Sequence, residues 1–255
     1  MKDAGQGGVR MTLSEHIEEL RTRIIRGLLA VAAGFVVVWI FRTDVMAFLR
    51  KPLDEAMRTL PPDKVRVIQT SAGEGFVTYM KIAFFGGCVL TGPLILQQIW
   101  GFVAAGLYPH ERRVVRFYAV PGFVLFFAGA ALAYLVVMPW ALDFLLGFAL
   151  DEAGIDESLL TVSSYVTLMA WGMFIFGLAF QLPIIMVFLM RLGVVEPSTF
   201  RRWRRPAVVI IFCIAAVLTH PDVVSQCVLA GCMMVLYEGA IFVGSRVARP
   251  RKESA

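Results

Sequence analysis

The sequence predicts an all-α, polytopic membrane protein of six transmembrane helices, the last two short, with both ends on the cytoplasmic side. Three observations carry this. Of 255 residues, 58% are hydrophobic, and the mean hydropathy is +0.74. Six apolar stretches cover roughly residues 24–41, 76–103, 114–139, 165–190, 207–218 and 225–243. The segments between them alternate in basic content. One set holds five, three, five and four Lys/Arg. The other holds six in loop 42–75, balanced by five acids, and none elsewhere. That is 17 against 6, with Lys81 left near a span end. Basic loops stay in the cytoplasm.

The elements follow in order. Residues 1–10 are Gly-rich and read as a disordered cytoplasmic tail. Thr12-Leu13-Ser14-Glu15 is a capping box, so a helix should start near Thr12 and run into the first span. Glu15, Glu18 and Glu19 closely precede that long apolar run and no small-residue cleavage site follows, which argues against a signal peptide. Loop 42–75 contains Pro52, Pro61 and Pro62 and an amphipathic piece around Val45–Leu60. It reads as a structured cap lying on the outer surface.

The second stretch carries Gly86, Gly87, Gly92 and Pro93, then Gln97 and Gln98. Pro93 removes a backbone donor, so a bent helix is expected. Loop 140–164 holds five acids and no cation, as suits an outer loop. The fourth stretch carries Gly172, Gly177, Gln181 and Pro183.

A bilayer core of about 30 Å needs about 20 apolar residues as helix. The first four stretches meet that. Stretch 207–218 rises only about 18 Å, so a fifth and sixth span require Thr219-His220-Pro221-Asp222 to be a tight turn. The alternative is four spans and a re-entrant hairpin. Both leave the tail 247–255 beside the basic end, with 11–246 as one membrane domain.

Chemistry-bearing residues are few. Cys88, Cys213, Cys227 and Cys232 all lie in apolar stretches without CxxC spacing, so metal and redox roles are not expected and they read as buried small hydrophobes. His16, His110 and His220 lie at span ends, and no HExxH or GxSxG stands in a span, which argues against an intramembrane enzyme. A transporter would want a charged midplane or paired halves, and neither is evident. The dispersed basic residues need no nucleic acid to explain them, and no cofactor is called for. Trp39, Trp100, Tyr134 and Trp140 read as interface anchors, and Lys81 as a snorkelling cation. Glu238 reads as paired with Arg246 or a neighbouring span. Asp222 reads as a cap for the last helix.

Several motifs are more specific. Ser14-Glu15-His16-Ile17-Glu18-Glu19-Leu20-Arg21 precedes the first span, and Leu107-Tyr108-Pro109-His110-Glu111-Arg112-Arg113 follows the second. Phe176-Gly177-Leu178-Ala179-Phe180-Gln181-Leu182-Pro183 lies in the fourth. Thr219-His220-Pro221-Asp222-Val223-Val224-Ser225-Gln226 and Leu236-Tyr237-Glu238 close the series. In this content and order the chain resembles the TatC family, the multi-spanning receptors of the twin-arginine protein translocase, over nearly its whole length. Two positions depart from the family pattern. His220 replaces a proline, and Gln181 stands where many members have Glu, which puts a titratable carboxylate there in doubt.

The resemblance implies a concave, glove-like bundle that binds signal peptides bearing two adjacent arginines on folded precursors. It implies TatA- and TatB-type single-span partners, self-association in a multi-copy complex, a home in the inner (cytoplasmic) membrane, and transport driven by the proton-motive force. Arginine keeps its charge, and its planar fork matches a carboxylate. The resemblance accordingly assigns the signal peptide to Glu19 and Glu111, with His16, Arg21, Phe102 and His110 beside them. For both acids a local ion pair is the alternative: Arg23 for Glu19, and Arg112, Arg113 or Arg116 for Glu111. A partner's helix is assigned to Gln181, Phe180, Pro183, Thr219 and Gln226, and loop roles to Pro52 and Asp222. For Gln181 the alternative is a hydrogen bond to a backbone carbonyl, since a midspan polar group is costly without a partner.

Overall fold

The computed structural model describes residues 13–59, 65–68, 71, 73–106, 112–147, 158–218 and 223–247. Ten α-helices among them carry the architecture. In chain order these are α1 (Leu13–Ile40), α2 (Arg42–Thr59), α3 (Glu74–Ala105), α4 (Arg112–Leu132) and α5 (Met138–Gly147), then α6 (Val162–Ala179), α7 (Leu182–Arg191), α8 (Pro197–Arg202), α9 (Arg204–Leu218) and α10 (Val223–Val247). A π-helical turn, Ala133–Val137, joins α4 to α5. Five segments are long and apolar enough to cross a membrane: Ser14–Ile40, Glu74–Ala105, Val120–Phe144, Val162–Arg191 and Gln226–Val247.

One expectation about length needs correction. The final helix is not short: α10 has 25 residues, about 37 Å. Only α9, with 15 residues, falls below the bilayer core at about 22 Å. Beside the helices, among the described residues, lies one short strand ladder. Strands β1 (Val65–Ile68) and β2 (Ser158–Thr161) pair in parallel, Val65 opposite Ser158 and Ile68 opposite Thr161. Val65, Val67 and Ile68 are β-branched and favour the extended form, and the ladder ties segment 42–75 to the start of α6.

The core is laid down by glycines that let helices meet. An added Cβ on Gly87 would stand 2.7 Å from the Phe35 backbone N, and one on Gly34 would stand 2.8 Å from the Gly87 carbonyl. So α1 and α3 cross backbone to backbone. Phe126 of α4, buried, fills a slot between Gly92 of α3 and Gly177 of α6. A Cβ on either glycine would lie 2.4 or 2.8 Å from its ring. The missing side chain of Gly177 is thus replaced by the ring of Phe126.

The expected surface cap is α2, packed inward through Leu49, Leu53 and Ala56. Pro52 sits inside it. Lacking an N–H, Pro52 leaves the carbonyl four residues back without its helical donor. Tyr134 supplies one, donating to the Phe48 carbonyl at 2.8 Å while its ring stacks on Phe48. Tyr165 donates to the next carbonyl, Leu49, at 2.5 Å. Two spans thus pin the cap where proline loosened it.

Two smaller assignments change. Trp100 is no interface anchor but is buried, edge-on to Phe188 with centroids 5.0 Å apart. Of the cysteines only Cys88 is buried; Cys213 and Cys227 face outward. For Glu238 the neighbouring-span alternative describes the contact: it pairs with Arg204 of α9 at 2.6 Å, while Arg246 lies over the Phe242 ring. Lys81 bridges helices, donating to Ser163 Oγ at 3.2 Å.

Candidate functional site

His16, Glu19 and Arg23 fall at i, i+3 and i+7, so they share one face of α1. That face meets the last turns of α3. Arg23 Nε donates to Glu19 Oε1 at 2.7 Å, and Arg23 Nη1 donates to Gln98 Oε1 at 3.3 Å. Gly101 makes room for this. A Cβ there would fall 2.4 Å from Arg23 Nη1. His16 stacks on Phe102 with centroids 4.4 Å apart, and its Nδ1 is buried without a hydrogen-bond partner. The Arg23 and Glu19 side chains stay 24% and 26% exposed.

The local pair expected as the alternative for Glu19 is therefore formed. It does not consume the carboxylate. An ionised carboxylate offers about four lone-pair sites, and one oxygen is held here by a single guanidinium N–H. Arg23 and Gln98 fix its position while solvent reaches it. Such a group can accept a second guanidinium without being buried.

Of the residues assigned to this site, the structure brings together His16, Glu19 and Phe102. Arg21 stands apart, 71% exposed, with Glu18 at 3.7 Å. Glu111 and His110 lie outside the described residues. Arg23, Gln98 and Gly101 were not assigned by the sequence reading. Arg23 and Gln98 are polar residues next to apolar runs, a signal that was there to read. Gly101 had none, because its role is the absence of a side chain against one neighbour.

The second assigned region lies at the break between α6 and α7. Pro183 cannot donate to the ladder, and the chain turns through Phe180 and Gln181. The Gln181 N–H bonds the Leu178 carbonyl at 2.9 Å, three residues back. The Gln181 side chain is 5% exposed and does not face lipid. Its Nε2 donates to the Gly122 carbonyl of α4 at 2.9 Å, and its Oε1 is buried without a partner. The backbone-carbonyl alternative thus describes its contacts. Phe180 and Pro183 are half-buried beside it. Gln226 donates to the Phe212 carbonyl at 3.3 Å, joining α10 to α9. Thr219 and Asp222 lie outside the described residues. No group of three His, Cys, Asp or Glu able to hold a metal occurs among the described residues.

Fold and site together define a multi-pass helical membrane protein whose organised polar cluster sits at a span end. The sequence profile of the Sec-independent protein translocase protein TatC matches residues 15–231. Curated TatC proteins of Desulforapulum autotrophicum and Magnetococcus marinus are 33% and 35% identical over 241 residues, 94% of this chain and 86% of theirs. That of Aquifex aeolicus is 33% identical over 95% of this chain and 98% of its own. A crystal structure of a twin arginine translocase receptor TatC superimposes with a TM-score of 0.79 at 33% identity, covering 92% of this chain and all of that one. A second, in the detergent DDM, gives 0.77 at 31% identity. The chain belongs to the TatC family of Sec-independent protein translocase components, a transport role.

Proposed function

We propose that this chain is the signal-peptide receptor and nucleating core of a twin-arginine translocase in the inner (cytoplasmic) membrane. It has six spans, counting α9, with both termini in the cytoplasm. It binds the arginine pair of a folded precursor's signal peptide and assembles with TatA/TatB-type single-span proteins in a multi-copy complex. The proton-motive force drives transport.

One observation carries this reading. Glu19 is a partly exposed carboxylate held in place by Arg23, which Gln98 braces in turn, at the basic end of the first span. A fixed acceptor binds guanidinium without first losing its own rotamer freedom. By the family motif they carry, Glu111 and His110, which lie outside the described residues, are assigned to the same site. His16 and Phe102 form its stacked floor, and Arg21 stands apart from it on α1. The test is direct binding of a twin-arginine peptide and its twin-lysine counterpart to purified protein. Both Glu19→Gln and Glu111→Gln should weaken the twin-arginine peptide. Wild-type binding by both variants would sink the carboxylate site.

The partner's helix engages the region of Phe180, Pro183, Thr219 and Gln226, with Gln181 shaping it from inside. Gln181→Leu should reduce partner recruitment in part while peptide binding stays near normal. Loss of peptide binding with intact partner crosslinks would place Gln181 in the other site.

A further inference from the structure

An apolar groove of about 570 Å³ lies between α6, α7, α9 and α10. Its walls include Leu178, Ile185, Leu189, Ile210 and Ile214. Most of these are exposed. Its other end is lined by Thr199, Phe200 and Trp203. From Trp203 to Ile214 the chain rises about 16 Å, close to half of a hydrocarbon core of about 30 Å. The groove is therefore about half as long as such a core is thick.

The segment that carries its lining residue Trp203 is strongly basic. Residues 199–207 contain Arg201, Arg202, Arg204 and Arg205 and no acid. Arg204 is held by Glu238, while Arg201, Arg202 and Arg205 are exposed. Arginine forks onto phosphate oxygens, and Trp203, also exposed, is a residue type that favours the headgroup level.

We infer that this groove binds one anionic glycerophospholipid, an acyl chain along the wall and the phosphate at the arginine-rich segment. The geometry favours lipid over a partner's helix. A spanning helix needs contact through the full core, and helices associate through small residues and polar bonds. The lining here has no glycine and is almost wholly aliphatic and aromatic. Basic clusters at a membrane surface attract anionic lipid, which supplies the selectivity a bare apolar groove lacks.

The experiment uses the full chain, delipidated in mild detergent, with equimolar phosphatidylglycerol and phosphatidylcholine of identical chains. Native mass spectrometry reads the lipid retained. One phosphatidylglycerol should be kept in preference by about fivefold or more. The triple variant Arg201→Gln, Arg202→Gln, Arg205→Gln, all surface changes, should retain either lipid without preference. Ile210→Trp, which fills the groove, should lose both. Equal retention of the two lipids by the wild type would overturn the proposal. So would a preference that survives the triple variant, or retention unchanged by Ile210→Trp. In membranes, a photoreactive residue at 210 should label lipid; labelling a single-span protein in its place would give the groove to a helix.

Discussion

Glu19 and Gln181 are both polar residues on apolar helices, and the bundle treats them in opposite ways. Glu19 sits at a span end, remains partly wet, and is held by side chains that can shift to admit a newcomer. Gln181 sits deep in the bundle and is held by a backbone carbonyl of the neighbouring helix. Depth decides the difference. At the end of a span an open lone pair is hydrated and can wait for a ligand. In the interior each unpaired polar atom carries a desolvation cost, so the fold uses such a group for its own packing. A polar residue in a membrane protein is a candidate ligand site in proportion to the water it keeps.

The largest effect expected on this contrast comes from the crossing that presents Glu19. In Gly87→Val a new Cβ would stand 2.7 Å from a backbone nitrogen of α1, and backbone cannot swing aside. Overpacking costs about 1–3 kcal/mol and sometimes more; the upper end or beyond is expected here. Thermal unfolding in mild detergent should show a large loss, and peptide binding should fail with it. Near-native stability would mean that α1 and α3 can separate without harm to the bundle.

Next is Glu19→Gln. It keeps size and removes charge. Twin-arginine peptide binding should fall by about 1.5–3 kcal/mol, the range for a bond to a charged group. The unfolding transition should hardly move, because the partly exposed Glu19–Arg23 pair is worth about 1 kcal/mol or less. A large stability loss with unchanged binding would reverse the roles assigned to the two polar sites.

Tyr165→Phe probes a buried bond of the Gln181 kind elsewhere in the bundle. It deletes the hydroxyl that donates to Leu49. The cost should be about 1 kcal/mol, seen as loosening of the α2 cap, for instance faster protease cleavage within 42–59. Unchanged cleavage would show that Tyr134 alone holds the cap.

These cases show what was legible in the sequence. The apolar stretches, the amphipathic α2 and the start of α1 could be read because burial in lipid demands long runs and helix starts demand caps. The family motifs pointed to Glu19, His16 and Phe102, and the structure places them together. What escaped depended on partners far along the chain. That Gly177 is a seat for Phe126, that Trp100 is core, and that Gln98 steadies Arg23 are facts about pairs. A parallel ladder between strands of four residues, separated by more than eighty positions, leaves little local trace.

The smallest effect sharpens the comparison most. Gln181→Leu removes a hydrogen bond to Gly122 and also removes Oε1, which is buried without a partner. The first loss costs about 1 kcal/mol; relieving an unsatisfied buried acceptor returns about 1–3 kcal/mol. The two nearly cancel, so stability should stay within about 1 kcal/mol of wild type or rise slightly. Gln181→Ala lacks that compensation in volume and should lose more, through the space left against Ile184 and Gly122. Unfolding of both variants in mild detergent separates the cases. If Leu destabilises as much as Ala, the amide bond to Gly122 outweighs the relief, and Gln181 is a structural tie across α4 and α7. If Leu is neutral in stability yet partner recruitment drops, the amide is kept for something other than folding, and the interior site regains the functional status that its burial argues against.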